Sequence, residues 1–385
     1  MKNGWQTQPL SDVLEVQNGY AFDSNGFNPT KGLPLIRIRS LKSGTETETR
    51  FNGDYDKRYV VKAGDLLIGM DGEFGCYQWK GEPALLNQRV CRLQGFSGEL
   101  VPRFLFYGVN DYLKAIEDVT GFTTVKHLSS KQVLSIVFPV PPLPEQQRIV
   151  GILDEAFTGL ATAKANAEQN LHNARALFES HLQSVFTQRG KGWVEKTVGE
   201  IAKHSLGKML DKSKNKGEPR RYLRNINVRW FIFDLSDLLE MRFLKEESAK
   251  YTAVKGDVLI CEGGYPGRAA IWDEDYPIHF QKALHRVRFH EPEHNKWFVY
   301  FLYAQDKSGE LRQHFTGTGI QHFTGEVLSR FNIPIAPLPK LRQLVAGIEE
   351  ISTKTQRLES IYQQKLTALE ALKKSLLEGC FTGKI

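Results

Sequence analysis

The sequence predicts an α+β chain in which one unit is written twice, each copy a globular α/β domain followed by a long helix. Three observations predict it. A proline-rich stretch ending at residue 144 recurs with its flanks at residue 339. The chain before each stretch has short β-rich runs broken by glycine, and the chain after it has apolar residues at steps of three and four.

The repeat comes first. Ile-Val-Phe-Pro-Val-Pro-Pro-Leu-Pro (136–144) matches Phe-Asn-Ile-Pro-Ile-Ala-Pro-Leu-Pro (331–339), and EQQRIVGILDE (145–155) continues against KLRQLVAGIEE (340–350) at the same offset of 195. Ser180, Leu182, Phe186 and Thr187 match Ser375, Leu377, Phe381 and Thr382. Upstream the offset drifts, as loop lengths do in diverged domains. Tyr59 to Ile68 matches Tyr251 to Ile260, with Gly72 and Gly75 falling on Gly264 and Gly267. Pro34 with Arg37-Ile38-Arg39 corresponds loosely to Pro219 with Tyr222-Leu223-Arg224, and Trp5 to Trp193. The resulting division is a domain over 1–142, a central helix over 143–190, a second domain over 191–337 and a final helix over 338–385.

Within each domain VVKAGDLLIGM, NQRVCRL, GDVLICE and ALHRVRF read as strands, and helical spacing recurs around 103–117 and 296–312. The proline stretches 139–144 and 334–339 cannot extend a helix, but each ends with proline where a helix starts well. Beyond them run two narrow apolar stripes. Ile152, Leu160, Leu171, Phe178 and Leu182 mark the first, and Ile348, Ile351, Leu358, Leu369 and Leu376 the second. Such a stripe does not stabilise a lone helix, and two in one chain can supply each other. A helix of roughly 43 residues is about 65 Å long.

A length of 385 residues exceeds one ordinary core, and 41% apolar with 25% charged residues is the balance of a soluble folded protein. The first ten residues do not resemble a signal peptide, and no apolar run approaches a membrane span. The four cysteines lie far apart without CxxC spacing, which predicts reduced thiols and a cytoplasmic location. Residues 1–190 hold 20 basic and 20 acidic residues, so the net charge of +7 belongs to the second half. Nine basic residues fall between 203 and 229, against Asp211 and Glu218. That density suits a polyanion, though a solvated loop explains it equally well.

Catalytic patterns are absent from the sequence. There is no GxxxxGK[ST] phosphate loop, no Glu-x-Lys triplet of the common metal-dependent nucleases and no Asn-Pro-Pro-Tyr/Phe tetrapeptide. His279, His285, His290 and His294 lack the spacing of a ligand set and read as decoration of a strand and its turn. The glycines after Gly-Asp-(Leu/Val)-Leu-Ile suit a tight turn. Glu73, Tyr265 and Arg268 beside that turn differ between copies and are candidates for discriminating contacts. Two glycine-flanked loops, with His127 matching His322, suit phosphate or base-edge contacts or a plain turn.

PPLPEQQRIVGILD and APLPKLRQLVAGIE, each opening a long helix after a domain, resemble the repeated signature of the specificity subunits of type I restriction-modification enzymes. The second copy departs from it at Lys340 and Leu341, where Glu and Gln are usual. The resemblance covers essentially the whole chain. It implies two target recognition domains, each reading half of a split double-stranded DNA sequence, and two long helices pairing antiparallel as a coiled-coil ruler. It implies methyltransferase subunits, two per chain, and restriction subunits as partners. S-adenosylmethionine, ATP and Mg would then serve the partners, with no cofactor or metal in this chain and no membrane.

On this reading the phosphate contacts fall to Arg37, Arg39 and Lys42 in the first copy and to Lys212, Lys214, Arg220, Arg221, Arg224 and Arg229 in the second. Base or backbone contacts fall to Gln88, Arg89, Thr124, Lys126 and His127, and to Arg268, Gln281, Lys282, Thr318, Gln321 and His322. Apart from the resemblance, a two-headed protein scaffold and a pair of RNA-binding modules remain open.

Overall fold

The short β-rich runs become strands of two sheets in each half of the chain. A computed structural model describes residues 5–120, 126–211 and 213–385. The chain divides into two compact units, Met1–Asn166 with Lys365–Ile385, and Ala167–Gln364. Each unit therefore takes part of both long helices, a division the linear order of domain and helix does not display.

In the first unit, Glu15–Asn18, Val90–Gln94, Leu66–Gly69 and Cys76–Gln78 form an antiparallel sheet in that spatial order. A second sheet runs Phe27–Asn28, Arg50–Phe51, Leu33–Ile36, Ala84–Leu86, Val60–Val61, and its pair Leu33–Ile36 with Ala84–Leu86 is parallel. Helix α1, Pro102–Val119, starts with proline at its first turn and buries Phe104, Leu105, Val109 and Leu113. A two-stranded ribbon, Gln6–Pro9 with Val137–Val140, carries the chain into helix α2, Leu143–Thr187.

The second unit repeats this plan. Ala202–Leu206, Leu284–Phe289, Val258–Cys261 and Ala269–Ile271 form its antiparallel sheet. Leu239–Phe243, Glu218–Leu223, Ile278–Phe280 and Thr252–Ala253 form the other, again with one parallel pair, Glu218–Leu223 with Ile278–Phe280. Helix α3, His294–Ser308, takes the place of α1, and the ribbon Val194–Thr197 with Asn332–Ile335 leads into helix α4, Leu338–Thr382. Among the described residues no helix is long and apolar enough to cross a membrane.

The signature that opens each long helix fastens it to its domain. Gln146 is buried, donates to the carbonyls of Pro141 and Glu99 at 2.7 Å each, and accepts from the Val101 N–H at 2.8 Å. Leu341 takes the equivalent place and is also fully buried, so an apolar contact replaces three hydrogen bonds. This accounts for the departure of the second copy from the signature at Leu341.

The two long helices run antiparallel within each unit. In the first, Arg148 donates to the Ile385 carbonyl at 3.1 Å while Lys164 pairs with Glu370 at 2.7 Å. In the second, Arg175 pairs with Glu359 at 2.9 Å, while Phe178, Leu182 and Phe186 share a core with Leu341, Val345 and Ile348. Phe381 closes the first unit, its ring centroid 4.9 Å from Phe104 and 6.1 Å from Phe138. Phe186 closes the second in the same way, 4.6 Å from Trp297 and 5.1 Å from Phe301.

The stripe residues differ in how deeply they pack. Phe178, Leu182 and Ile348 are buried, and Ile152, Leu160, Leu171, Ile351, Leu369 and Leu376 are half-buried. Leu358 stays 37% exposed. Beside Ile152 it is Leu153 that is fully buried.

Candidate nucleic-acid interface

Parallel pairing of Leu33–Ile36 with Ala84–Leu86 puts the turns that follow both strands at one end of the first unit. The tip of the 70–75 hairpin joins them, because Val90 lies opposite Gly69. Backbone hydrogen bonds knit these segments to a fourth. Met70 donates to the Arg89 carbonyl at 2.9 Å, Gly72 to that of Lys126 at 2.9 Å, and Leu128 to that of Met70 at 2.7 Å. The second unit builds the same frame: Glu262 donates to Ala283 at 2.9 Å, Phe323 to Glu262 at 2.7 Å, and Gly263 bridges to His322.

Structural equivalence corrects two of the correspondences between the copies. Leu35 and Ile36 pair with Leu85 and Leu86 as Tyr222 and Leu223 pair with His279 and Phe280, so Arg37 corresponds to Arg224 rather than to Tyr222. Both arginines precede a short helical turn with nearly the same backbone angles. In the hairpin, Gly69 donates to Gly75 where Cys261 donates to Arg268. The second hairpin is one residue longer, and Gly75 corresponds to Arg268 rather than to Gly267. At its tip Gly264 has φ +77°, and a Cβ there would come within 2.3 Å of the Asn225 amide. Any larger residue there would take a strained backbone angle and displace that amide.

The candidate residues of the first unit converge on this end. Arg37 lies 6.0 Å over the Phe27 ring, and Arg39 pairs with Glu48 at 3.5 Å. Lys42 pairs with Glu73 at 2.6 Å, and that hydrogen bond raises the lysine above its ordinary pKa. Arg89 reaches Asp71 at 3.3 Å, and His127 Nδ1 lies 2.7 Å from the same carboxylate. Lys126 donates to the Glu117 carbonyl at 2.6 Å. Gln88 is exposed, and Thr124 lies outside the described residues.

In the second unit the cations divide. Arg224 is mostly buried and holds Asp237 at 2.6 Å, while Arg268 donates to the Asn225 carbonyl at 2.9 Å under the exposed Tyr265 ring, 4.1 Å away. Lys214 pairs with Asp211 at 3.7 Å, Arg220 with Glu218 at 3.2 Å and Arg229 with Asp234 at 4.0 Å. Among the described residues, Arg221, Lys282, Gln281, Thr318 and Gln321 have side chains free of hydrogen bonds and ion pairs, and all but the half-buried Gln281 are exposed. His322 is half-buried beside Gly263. Lys212 lies outside the described residues. Lys208, part of the dense basic run, is withdrawn from solvent: it is 6% exposed and pairs with Glu247 above the Phe243 ring.

Most of the remaining pairs join exposed partners, and exposed pairs contribute little to stability. Their cations can therefore exchange a carboxylate for a phosphate at small cost. The sequence offered no sign of Asp71, Asn225 or Asp237, whose roles arise from loops far apart in the chain. Among the described residues no three His, Cys, Asp or Glu side chains converge as metal ligands. His285 lies in the strand Leu284–Phe289 and His294 opens α3.

Residues 2–171 and 190–370 match the family described as "Type I restriction modification DNA specificity domain". The chain is 27% identical to the type I restriction enzyme EcoBI specificity subunit of Escherichia coli, over all of this chain and 86% of that one. It is 22% identical to the type I restriction enzyme MjaVIII specificity subunit of Methanocaldococcus jannaschii, over 91% and 86%. The fold matches the HsdS subunit from Thermoanaerobacter tengcongensis with a TM-score of 0.60 at 17% identity, covering 100% and 98% of the two chains. It also matches a chain from a study of complex assembly and conformational transition of the type I R-M system, with a TM-score of 0.76 at 18% identity over 99% and 98%.

Proposed function

The chain belongs to the type I restriction-modification DNA specificity family, and we propose that it selects a two-part, unequal DNA sequence, one part through the loop end of each unit. One observation carries this reading. The two units share a backbone frame at that end and dress it differently, with Arg89 and Asp71 in one where Ala283 and Gly263 stand in the other. A shared frame with different side chains is what two readers of different sequences require.

In this reading cations hold phosphates and set the register: the half-buried Arg37 with the exposed Arg39 and Lys42 in the first unit, and the exposed Lys214, Arg220, Arg221 and Arg229 in the second. Gln88, Gln281, Lys282, Thr318, Gln321 and His322 are assigned to base or backbone contacts, since Arg, Lys and Gln side chains read purines in the major groove. Arg224 and Arg268 act through the turns they hold. The paired helices serve as the spacer between the two half-sites.

Two methyltransferase subunits and the restriction subunits are the proposed partners, in the cytoplasm. The structural relative studied in complex assembly supports partners of this general kind. Adenine methylation with S-adenosylmethionine, and cleavage with ATP and Mg, are assigned to those partners. This chain contributes recognition and no catalytic group.

The test is to express the chain with its methyltransferase partner and map methylated adenines across a genome. Methylation confined to a motif of two short parts around a fixed unread gap is the expected result. Methylation at a continuous motif, or without one, overturns the two-headed reading.

A further inference from the structure

The frame shared by the two units carries a charged cluster in only one of them. The second unit makes the same backbone hydrogen bonds with Ala283 and Gly263, with no charged pair at those positions. Arg89 moreover has φ +73°, a conformation L side chains rarely adopt, and shares it only with Phe231 among the described non-glycine residues. A non-glycine side chain kept at such a position points to a function.

We infer that Arg89 is the residue through which the first unit reads a guanine, and that Asp71 aims it. The inference rests on the recognition function proposed above. Asp71 is pinned between two partners, the Arg89 Nη1 at 3.3 and 3.4 Å and the His127 Nδ1 at 2.7 Å. It engages one nitrogen of the guanidinium and leaves the rest of the fork open. The Arg89 side chain is 58% exposed, whereas Asp71 is only 21% exposed. Two parallel N–H donors match O6 and N7 of guanine in the major groove, whereas adenine presents an amino group where O6 would be. Ala283 in the second unit offers no donor, so this preference belongs to the first unit's half of the target.

The test is selection from a randomised library of duplexes by the full chain in its methyltransferase complex. Arg89→Gly removes the side chain and suits the backbone angle, so the fold is kept. Asp71→Asn keeps the shape but loosens the aim. The wild type should select a two-part motif with a guanine that Arg89→Gly stops preferring, by roughly 10- to 100-fold, leaving the other part unchanged. Asp71→Asn should relax the same position partially. Replacing that guanine by 7-deazaguanine, which lacks N7, should weaken the wild type and leave Arg89→Gly indifferent. If Arg89→Gly keeps the whole motif, or weakens all sequences equally, this inference falls and the recognition function stands. A wild type that selects no two-part motif overturns both.

Discussion

Burial of one histidine sets an acid limit on the second unit. Gly19 donates to Val90 as Gly207 donates to Leu284, so His285 takes the place of Cys91, and the two are 1% and 0% exposed. Burial first, and then the neighbouring His204, lower the His285 pKa from 6.5 to about 4, with the backbone of Phe323 acting weakly against them. The unfolded chain takes up this proton as pH falls below about 6.5 while the folded chain refuses it until about 4, so stability is full above that window and lost through it. Between pH 7.5 and 5 the loss from this group is about 2 kcal/mol. Denaturant unfolding at the two pH values should show it in the wild type, and His285→Leu should remove it; an equal drop in both would exclude His285 as the cause. Lys208 makes the same point about burial. Lys208→Met leaves Glu247 half-buried without its partner and should destabilise the fold by roughly 1–3 kcal/mol. The sequence shows both residues as ordinary members of a basic or histidine-rich run. What distinguishes them is tertiary burial, which residue type and spacing do not encode. The same holds for Asp71, 18 residues from Arg89 and 56 from His127.

At the scale of elements, the long helices were legible as helices but not as single seams. Helix α2 packs Ile149 and Leu153 on the first domain, and farther along packs Phe178, Leu182 and Phe186 on the second unit's core. A stripe read as one coiled-coil face is therefore a succession of faces against different neighbours. This is why Leu153 rather than Ile152 is fully buried and why Leu358 stays partly open. The contact of α1 with the end of α4 is close enough to test. A Cβ at Gly108 would fall 2.4 Å from the Phe381 ring and 2.9 Å from that of Phe138. Gly108→Ala should cost about 1–3 kcal/mol by overpacking, and Phe381→Ala about 3–5 kcal/mol by leaving a cavity. Because they contest one space, the double variant should lose less than the sum, a coupling that a double-mutant cycle in urea reads directly. Additive losses would mean that the two do not meet.

For the whole molecule, the duplication and the proline-to-helix transitions were visible because they recur at one offset. The equivalence of Arg37 with Arg224 and of Gly75 with Arg268 was hidden, since loops of unequal length shift the register between anchored strands. Charge is also redistributed by folding. The excess of +7 lies in the second half, yet Lys208 is buried and Arg224 is held by Asp237. The exposed remainder should still give the second unit the larger share of salt-sensitive affinity. Lys214→Glu with Arg221→Glu should weaken DNA binding and reduce the slope of log affinity against log salt by about 2, measured by titration at several salt concentrations. An unchanged slope would remove both from the interface. The docking of residues 365–385 into the first unit also orders events in time. Ribosomes add about 5–20 residues per second, so the first head waits on the order of ten to forty seconds for Phe381 before its core can close. A message cut short between residues 364 and 381 would carry every residue of the second unit but leave the first without the ring that packs on Phe104 and Phe138.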